Sequence, residues 1–267
     1  MSRGVLLFGF NSPKVDYVSM ASYTARRINN FLKLPVTLVT DEESTENYYE
    51  FEDFEKIIKI DSNKDNIFRD DIWINKGRYM AYELSPYDET ILLDVDYMVN
   101  SDRLLKIFDL LEDYVCHESM CHLMKPEITQ ENLSDFSFPI LWATVIGFKK
   151  TQKAKQLFDC MKMVQENYAH YGHLYTFSVD TYRNDYSLTI AHRIVNGHIS
   201  DKKNILPWNL IHIGLKTKLY VERKSKYNTK YTIVFDQWKN NKLKKEYINI
   251  ADTDFHVINK EVFLELM

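Results

Sequence analysis

The sequence predicts an α/β fold: a mainly parallel sheet, helices on both of its faces, and a β-hairpin elaboration toward the C-terminal end. Three observations lead there. Short apolar runs alternate with helically spaced stretches through the first hundred residues, the pattern of successive strand–helix–strand units. The run Ile91-Leu92-Leu93 has no polar member, as a strand buried on both faces requires. It ends in Asp94-Val95-Asp96, at the sheet edge where open α/β folds bind ligands.

In chain order, Val5–Phe10 reads as the first strand, with Asn11-Ser12-Pro13 as its exit turn. Val15 to Leu32 carries Val18, Ala21, Ala25, Ile28 and Leu32 at helical spacing, with Asp16 near the start. Val36–Val39 is a second strand running into Asp41. Ile57–Ile60 is a third, after an acidic and aromatic helix or loop. Ile72 to Leu84 is predicted as a helix bearing Asn75, Lys76 and Arg78, closed by Ser85-Pro86. Arg103–Leu111 reads as a helix, Tyr114–Met124 as irregular or strand, Leu141–Phe148 as a strand, and Ala154–Tyr168 as a long helix. Another helix opens near Thr181, with Asn184 or Asp185 at its cap. Leu219–Val221 and Thr232–Phe235 read as a basic hairpin, followed by Ile248–Ile250 and Phe255–Lys260.

With 267 residues the chain is at the upper end for one core, so a single domain over 1–267 is expected. Residues 1–100 are expected to hold a nucleotide-sized site, and 101–267 to carry the basic C-terminal segment. None of the seven glycines stands as Gly-x-Gly, which excludes the glycine loops that cradle phosphates in P-loop and Rossmann proteins. The run at Val5–Phe10 is too short for a signal peptide or a membrane helix, and three cysteines cannot all pair. A cytoplasmic location is therefore expected. Cys116-His117 and Cys121-His122 form a zinc half-site without a second half, and read as buried thiols.

Charge is uneven. From Asp41 to Asp71 twelve acids face four bases, and from Lys202 to Lys245 twelve bases face two acids. The basic segment is interleaved with Tyr220, Tyr227, Tyr231 and Trp238. It is a plausible footprint for a polyanion such as double-stranded DNA, through Lys216, Lys218, Arg223, Lys224, Lys226 and Lys230. A solvated hairpin is the competing explanation.

Right-handed crossovers bring Asn11, Asp41, Asp94 and Asp96 to one edge. Two unpaired carboxylates repel, and a bound divalent cation removes the conflict, so Asp94 and Asp96 read as metal ligands. A second copy, Asp252-Thr253-Asp254, lacks the apolar strand that delivers the first.

These pieces resemble a GT-A-fold (Rossmann-like) glycosyltransferase of glycogenin-like layout. The matching parts are Asp94-Val95-Asp96, Asn75-Lys76-Gly77-Arg78, the stretch Trp142–Lys150 and the late His256-Val257-Ile258-Asn259-Lys260. The pattern is also similar to phage-encoded glycosyltransferases, some of which attach arabinose to 5-hydroxymethylcytosine in DNA. The resemblance implies manganese or magnesium held by Asp94, Asp96 and His256, and a UDP-sugar donor. Lys260, with Asn259 beside it, would sit on the phosphates, and Lys76 or Arg78 would neutralise the donor. Asp185 would stand near the acceptor or the reacting sugar carbon. The family's Gly and Lys-Pro-Trp after the late His are missing here.

Such chemistry suits these residues: an oxocarbenium-like transfer releases a diphosphate whose growing charge a cation and a Lys or Arg can offset. Within this reading DNA is the preferred acceptor and a glycan or protein the alternative. A metal-dependent phosphoesterase or nuclease using Asp94, Asp96, His256 and Asp185, or a DNA-binding protein with structural carboxylates, are the other classes.

Overall fold

The computed structural model describes the chain except residues 47–50, 62–66, 69–70, 73, 76, 124, 136, 200–201, 215–217, 221–228 and 240–241. Lys76, Lys216, Arg223, Lys224, Lys226 and Tyr227 thus lie outside the described residues.

The first strand, β1 (Arg3–Phe8), sends Val5 and Leu7 to one face and Leu6 to the other. Helix α1 (Tyr17–Phe31) starts where the Asp16 carboxylate accepts the Ser19 N–H at 2.9 Å, and it buries Val18, Ala21, Ala25 and Ile28. Next come β2 (Val36–Thr40), the single turn α2 (Glu42–Thr45) and β3 (Lys56–Lys59). A two-residue ribbon pairs β4 (Ile67–Phe68) with β5 (Asp71–Ile72).

The helix expected over Ile72–Leu84 shrinks to a 3₁₀ turn at Arg78–Met80 and α3 (Ala81–Leu84). Tertiary contacts override the periodicity there. Asn75 donates to the Tyr182 carbonyl at 3.4 Å, and its own carbonyl accepts from Asn184 at 3.0 Å.

Strand β6 (Glu89–Leu93) is buried along its whole length and is followed at once by β7 (Tyr97–Met98). The second half holds α4 (Lys106–Leu110), β8 (Tyr114–His117), β9 (Met120–His122), β10 (Lys125–Thr129), β11 (Trp142–Lys149) and α5 (Gln152–Glu166). The long helix breaks at Asn167, and α6 (Tyr168–Tyr175), which the sequence did not reveal, follows. Helix α7 (Asn184–Val195) takes Arg183, not Asn184 or Asp185, as its N-cap residue, without a side-chain cap. Then come β12 (Leu210–Ile213), β13 (Lys218–Tyr220), β14 (Lys230–Lys239), β15 (Lys242–Ala251), β16 (Phe255–Val257) and α8 (Lys260–Leu266).

The main sheet runs in the order β3-β2-β1-β6-β11-β8, with its first four strands parallel and β11 antiparallel to both neighbours. Its faces are covered as the sequence predicts: α1 packs on one, and Ala154, Leu157, Phe158 and Met161 of α5 with Leu188 and Ala191 of α7 pack on the other. A second sheet, β10-β9-β12-β16-β7, was not foreseen. It adds Met98, Leu210, Ile213, Phe255 and Val257 to the core on the α1 side.

The expected hairpin is larger than predicted. β14 and β15 pair over ten residues, with β13 along β14. Tyr231 does not offer a stacking surface: it is buried, packs edge-on against Phe255 and donates to Asn100 Oδ1 at 2.8 Å. Lys230 is exposed at the start of β14, and Lys218 lies in β13. Cys116 is buried and Cys121 and Cys160 half-buried, all three as free thiols. Among the described residues no helix is long and apolar enough to cross a membrane.

Candidate active site

The site is built where β6 leaves the main sheet and β7 enters the second one. Asp94 keeps one sheet contact, its N–H donating to the Thr144 carbonyl of β11 at 3.0 Å. A turn then closes as Tyr97 N–H donates to the Asp94 carbonyl at 3.2 Å. The Val95 carbonyl accepts the Thr24 hydroxyl of α1 at 2.6 Å, and the Asp96 carbonyl accepts Val257 N–H at 3.0 Å. The two carboxylates therefore converge through a turn pinned on three sides.

Strand β16 delivers the third group. His256 pairs in register with Tyr97, which sets its ring beside the acidic turn. His256 Nε2 lies 3.2 Å from Asp96 Oδ2 and 3.9 Å from Asp94 Oδ2. One donor atom from each of Asp94, Asp96 and His256 falls within 4.8 Å of the others, the one such three-residue group among the described residues. An ion with bonds of about 2.1 Å spans donors up to about 4.2 Å apart, so small side-chain shifts close the set. Two carboxylate oxygens and one imidazole nitrogen are a donor set that could hold a divalent cation.

Each carboxylate also has an internal counter-charge. Arg78, buried, pairs through Nη1 with Asp94 Oδ1, while its Nη2 donates to the Ala143 carbonyl at 2.6 Å. Lys260, the first residue of α8, pairs with Asp96 Oδ2. Burial pushes the Asp94 carboxyl up; Arg78 opposes this, and the negative charges of Asp96 and Asp185 add to it, for a net rise. Burial also disfavours the Asp96 carboxylate, but Lys260 and His256 overcome it and hold Asp96 well below the usual carboxylate range. The same contacts raise His256 and Lys260 against burial.

The remaining predicted residues divide by what their side chains touch. Asp185 Oδ1 accepts the Ala143 N–H at 2.9 Å and Oδ2 accepts from Arg183 at 2.8 Å. It is near enough for its charge to act on Asp94. Asn11 accepts Val18 N–H at 2.9 Å and donates to the Ser44 carbonyl at 3.2 Å, tying the exit of β1 to α1 and α2. Asp41 caps α2 by accepting Ser44 N–H at 2.8 Å. Asn259 caps α8, accepting from Glu261 at 3.1 Å and Val262 at 3.3 Å. Sequence reading missed Arg183 and His212, whose Nδ1 lies 3.2 Å from His256 Nδ1. Burial, then the neighbouring His256 and His122 rings, push the His212 imidazole down to about 3.

No protein-family model matches the chain, and no curated protein sequence matches it. Three solved structures illustrate what its backbone is similar to. The glycosyltransferase GlyE of Streptococcus pneumoniae TIGR4 is 12% identical over 78% of this chain, with a TM-score of 0.42. The match spans only 45% of the GlyE chain. Mouse xyloside xylosyltransferase 1, in its apo form, is 12% identical over 74% of this chain and 84% of its own, with a TM-score of 0.47. The galactosyltransferase LgtC, in complex with donor and acceptor sugar analogues, is 13% identical over 71% of this chain and 70% of its own, at 0.46. The chemistry of this chain is read from its own side chains.

Proposed function

We propose that this protein is a metal-dependent glycosyltransferase that takes a sugar from a nucleoside diphosphate donor, UDP in the simplest case. One observation supports this above others: Asp94, Asp96 and His256 converge at the carboxyl ends of the parallel strands, with Lys260 directly beside them. Asp94, Asp96 and His256 would hold manganese or magnesium, which when bound supplies Lewis-acid stabilisation of a departing diphosphate.

The other residues have separate tasks. Arg78 holds Asp94 in place from the buried side. Lys260 leaves Asp96 and offsets phosphate charge. Asn11, Asp41 and Asn259 shape the ends of α1, α2 and α8 around the donor. Asp185, steadied by Ala143 and Arg183, faces the acceptor side and takes the proton of the attacking hydroxyl.

Thermal-shift and calorimetric titration with nucleotide sugars, with and without manganese, tests this. Stabilisation by one diphosphate sugar that needs manganese, and that Asp94→Asn/Asp96→Asn abolishes, is the expected result. An unchanged response in the double variant removes the donor from this site.

For the acceptor we propose DNA, on the composition of the basic segment 202–245, and DNA carrying 5-hydroxymethylcytosine on the resemblance to phage-encoded glycosyltransferases. A DNA acceptor demands affinity that falls steeply with salt. Transfer insensitive to ionic strength instead points to a glycan or protein acceptor.

A further inference from the structure

Behind His256 stands a row of imidazoles that the donor site does not use. On the second sheet His212 is the registered neighbour of His122 on β9 and of His256 on β16. Registered neighbours share a sheet face, so the three rings stand side by side. The His122 and His212 rings meet edge-to-face with centroids 5.0 Å apart, and the His212 and His256 rings lie 5.2 Å apart. His212 is 4% exposed. Its Nδ1 lies 3.2 Å from His256 Nδ1, on the far side of the ring from the nitrogen facing the carboxylates.

That contact constrains the proton. Two ring nitrogens at hydrogen-bond distance need one donor and one acceptor. A nitrogen that faces a cation offers its lone pair, so a neutral His256 with Nε2 toward the ion must carry its proton on Nδ1. That N–H points at His212. We propose that His212 is a positioning residue for the cation site. It accepts the Nδ1 proton of His256, fixes its tautomer and so aims the Nε2 lone pair between Asp94 and Asp96. The inference rests on the cation reading given above, and concerns His212 rather than the ligands themselves. Partners of this kind, one bond behind a metal ligand, typically alter metal affinity 10- to 100-fold.

Calorimetric titration of manganese into the whole chain tests it, with no sugar donor present. His212→Phe keeps a ring but no acceptor. His212→Asn offers an oxygen close to where Nδ1 stands. Roughly 10- to 100-fold weaker binding in His212→Phe, and recovery to within a few-fold in His212→Asn, is the expected result. A second measurement needs no variant. Long-range ¹H–¹⁵N spectra of the wild type with magnesium should place the His256 proton on Nδ1.

A proton on Nε2, or wild-type affinity in His212→Phe while His256→Ala loses binding, overturns the role of His212 and leaves the cation site standing. Should His256→Ala and Asp94→Asn/Asp96→Asn both bind manganese as the wild type does, the cation reading itself falls, and this inference with it.

Discussion

Lys260 closes onto Asp96 Oδ2, the oxygen that His256 Nε2 also faces at 3.2 Å. A divalent ion drawn to this oxygen would meet the positive charge of the ammonium and compete with it. Lys260 thus supplies the counter-charge to Asp96, and under the cation reading proposed above a bound ion would compete with it.

Lys260→Met removes that counter-charge and leaves Asp96 buried with His256 alone. Breaking one side of a buried pair costs roughly 3–5 kcal/mol, and the remaining imidazole keeps the loss at the low end. The variant should melt below the wild type without metal, yet gain more in melting temperature on adding manganese. Its affinity for a nucleoside diphosphate in manganese should fall. A manganese-induced gain equal to or below the wild type's removes the competition between Lys260 and the ion.

Asp185→Asn keeps an oxygen for the Ala143 N–H and exchanges a charged for a neutral partner of Arg183. Folding stability should change by no more than about 1 kcal/mol, the usual worth of a side-chain hydrogen bond. Turnover should drop by roughly a hundred- to ten-thousandfold if the carboxylate accepts the hydroxyl proton, with donor affinity preserved. Equal turnover in the two proteins takes Asp185 out of the chemistry.

His117 should make the fold acid-sensitive. Its ring is 1% exposed, neither nitrogen has a hydrogen-bond partner among the described residues, and Trp208 packs edge-on with centroids 6.4 Å away. Burial, then the positive charge of Arg103, push the imidazole down to about 3 from an ordinary 6.5. The unfolded chain therefore takes up a proton that the folded chain refuses. The stability is present in full above pH 6.5 and is lost progressively as pH falls toward 3. At one pKa unit per 1.36 kcal/mol the loss is roughly 2 kcal/mol by pH 5. Urea unfolding at pH 7 and pH 5 should show a difference about that much larger in the wild type than in His117→Leu. Matching differences would show that this ring does not titrate across folding.

Gly147 sits in β11 where a Cβ would lie 2.4 Å from Ile107 Cγ2 and 3.0 Å from Val115 Cγ2. Neither neighbour is the far end of a flexible chain. Gly147→Ala should lose roughly 1–3 kcal/mol by overpacking, and less in a chain that already carries Ile107→Ala, which lacks the Cγ2 methyl. Denaturant midpoints measure both. Additive losses in the double variant exclude this contact as the cause.

Much of the frame was legible. Strands β1, β2 and β6 are runs of apolar residues between turn formers, and α1 announces itself by spacing and by its Asp16 cap. The acidic turn was legible because an apolar strand leads into it, although the turn that joins its carboxylates was not. The second sheet was not legible. Strands of three or four residues such as β9, β12 and β16 are too short for alternation to register. His256 could be singled out only through resemblance, and His212 not at all. Their meeting depends on the register of strands 44 residues apart. Asn11 and Asp41 were placed near the site by topology and Asn259 by the resemblance, but their side chains act as helix caps and strand ties. That difference is invisible without coordinates.

The acidic turn lies where one sheet hands the chain to the other, and its partners His256 and Lys260 come some 160 residues later, on the last strand and helix. A chain cut short before Phe255 would keep the pocket's negative charges and lose two of the cations that quiet them. Limited proteolysis that released Phe255–Met267 would therefore strip Asp94 and Asp96 of their late partners and open the core on the α1 side.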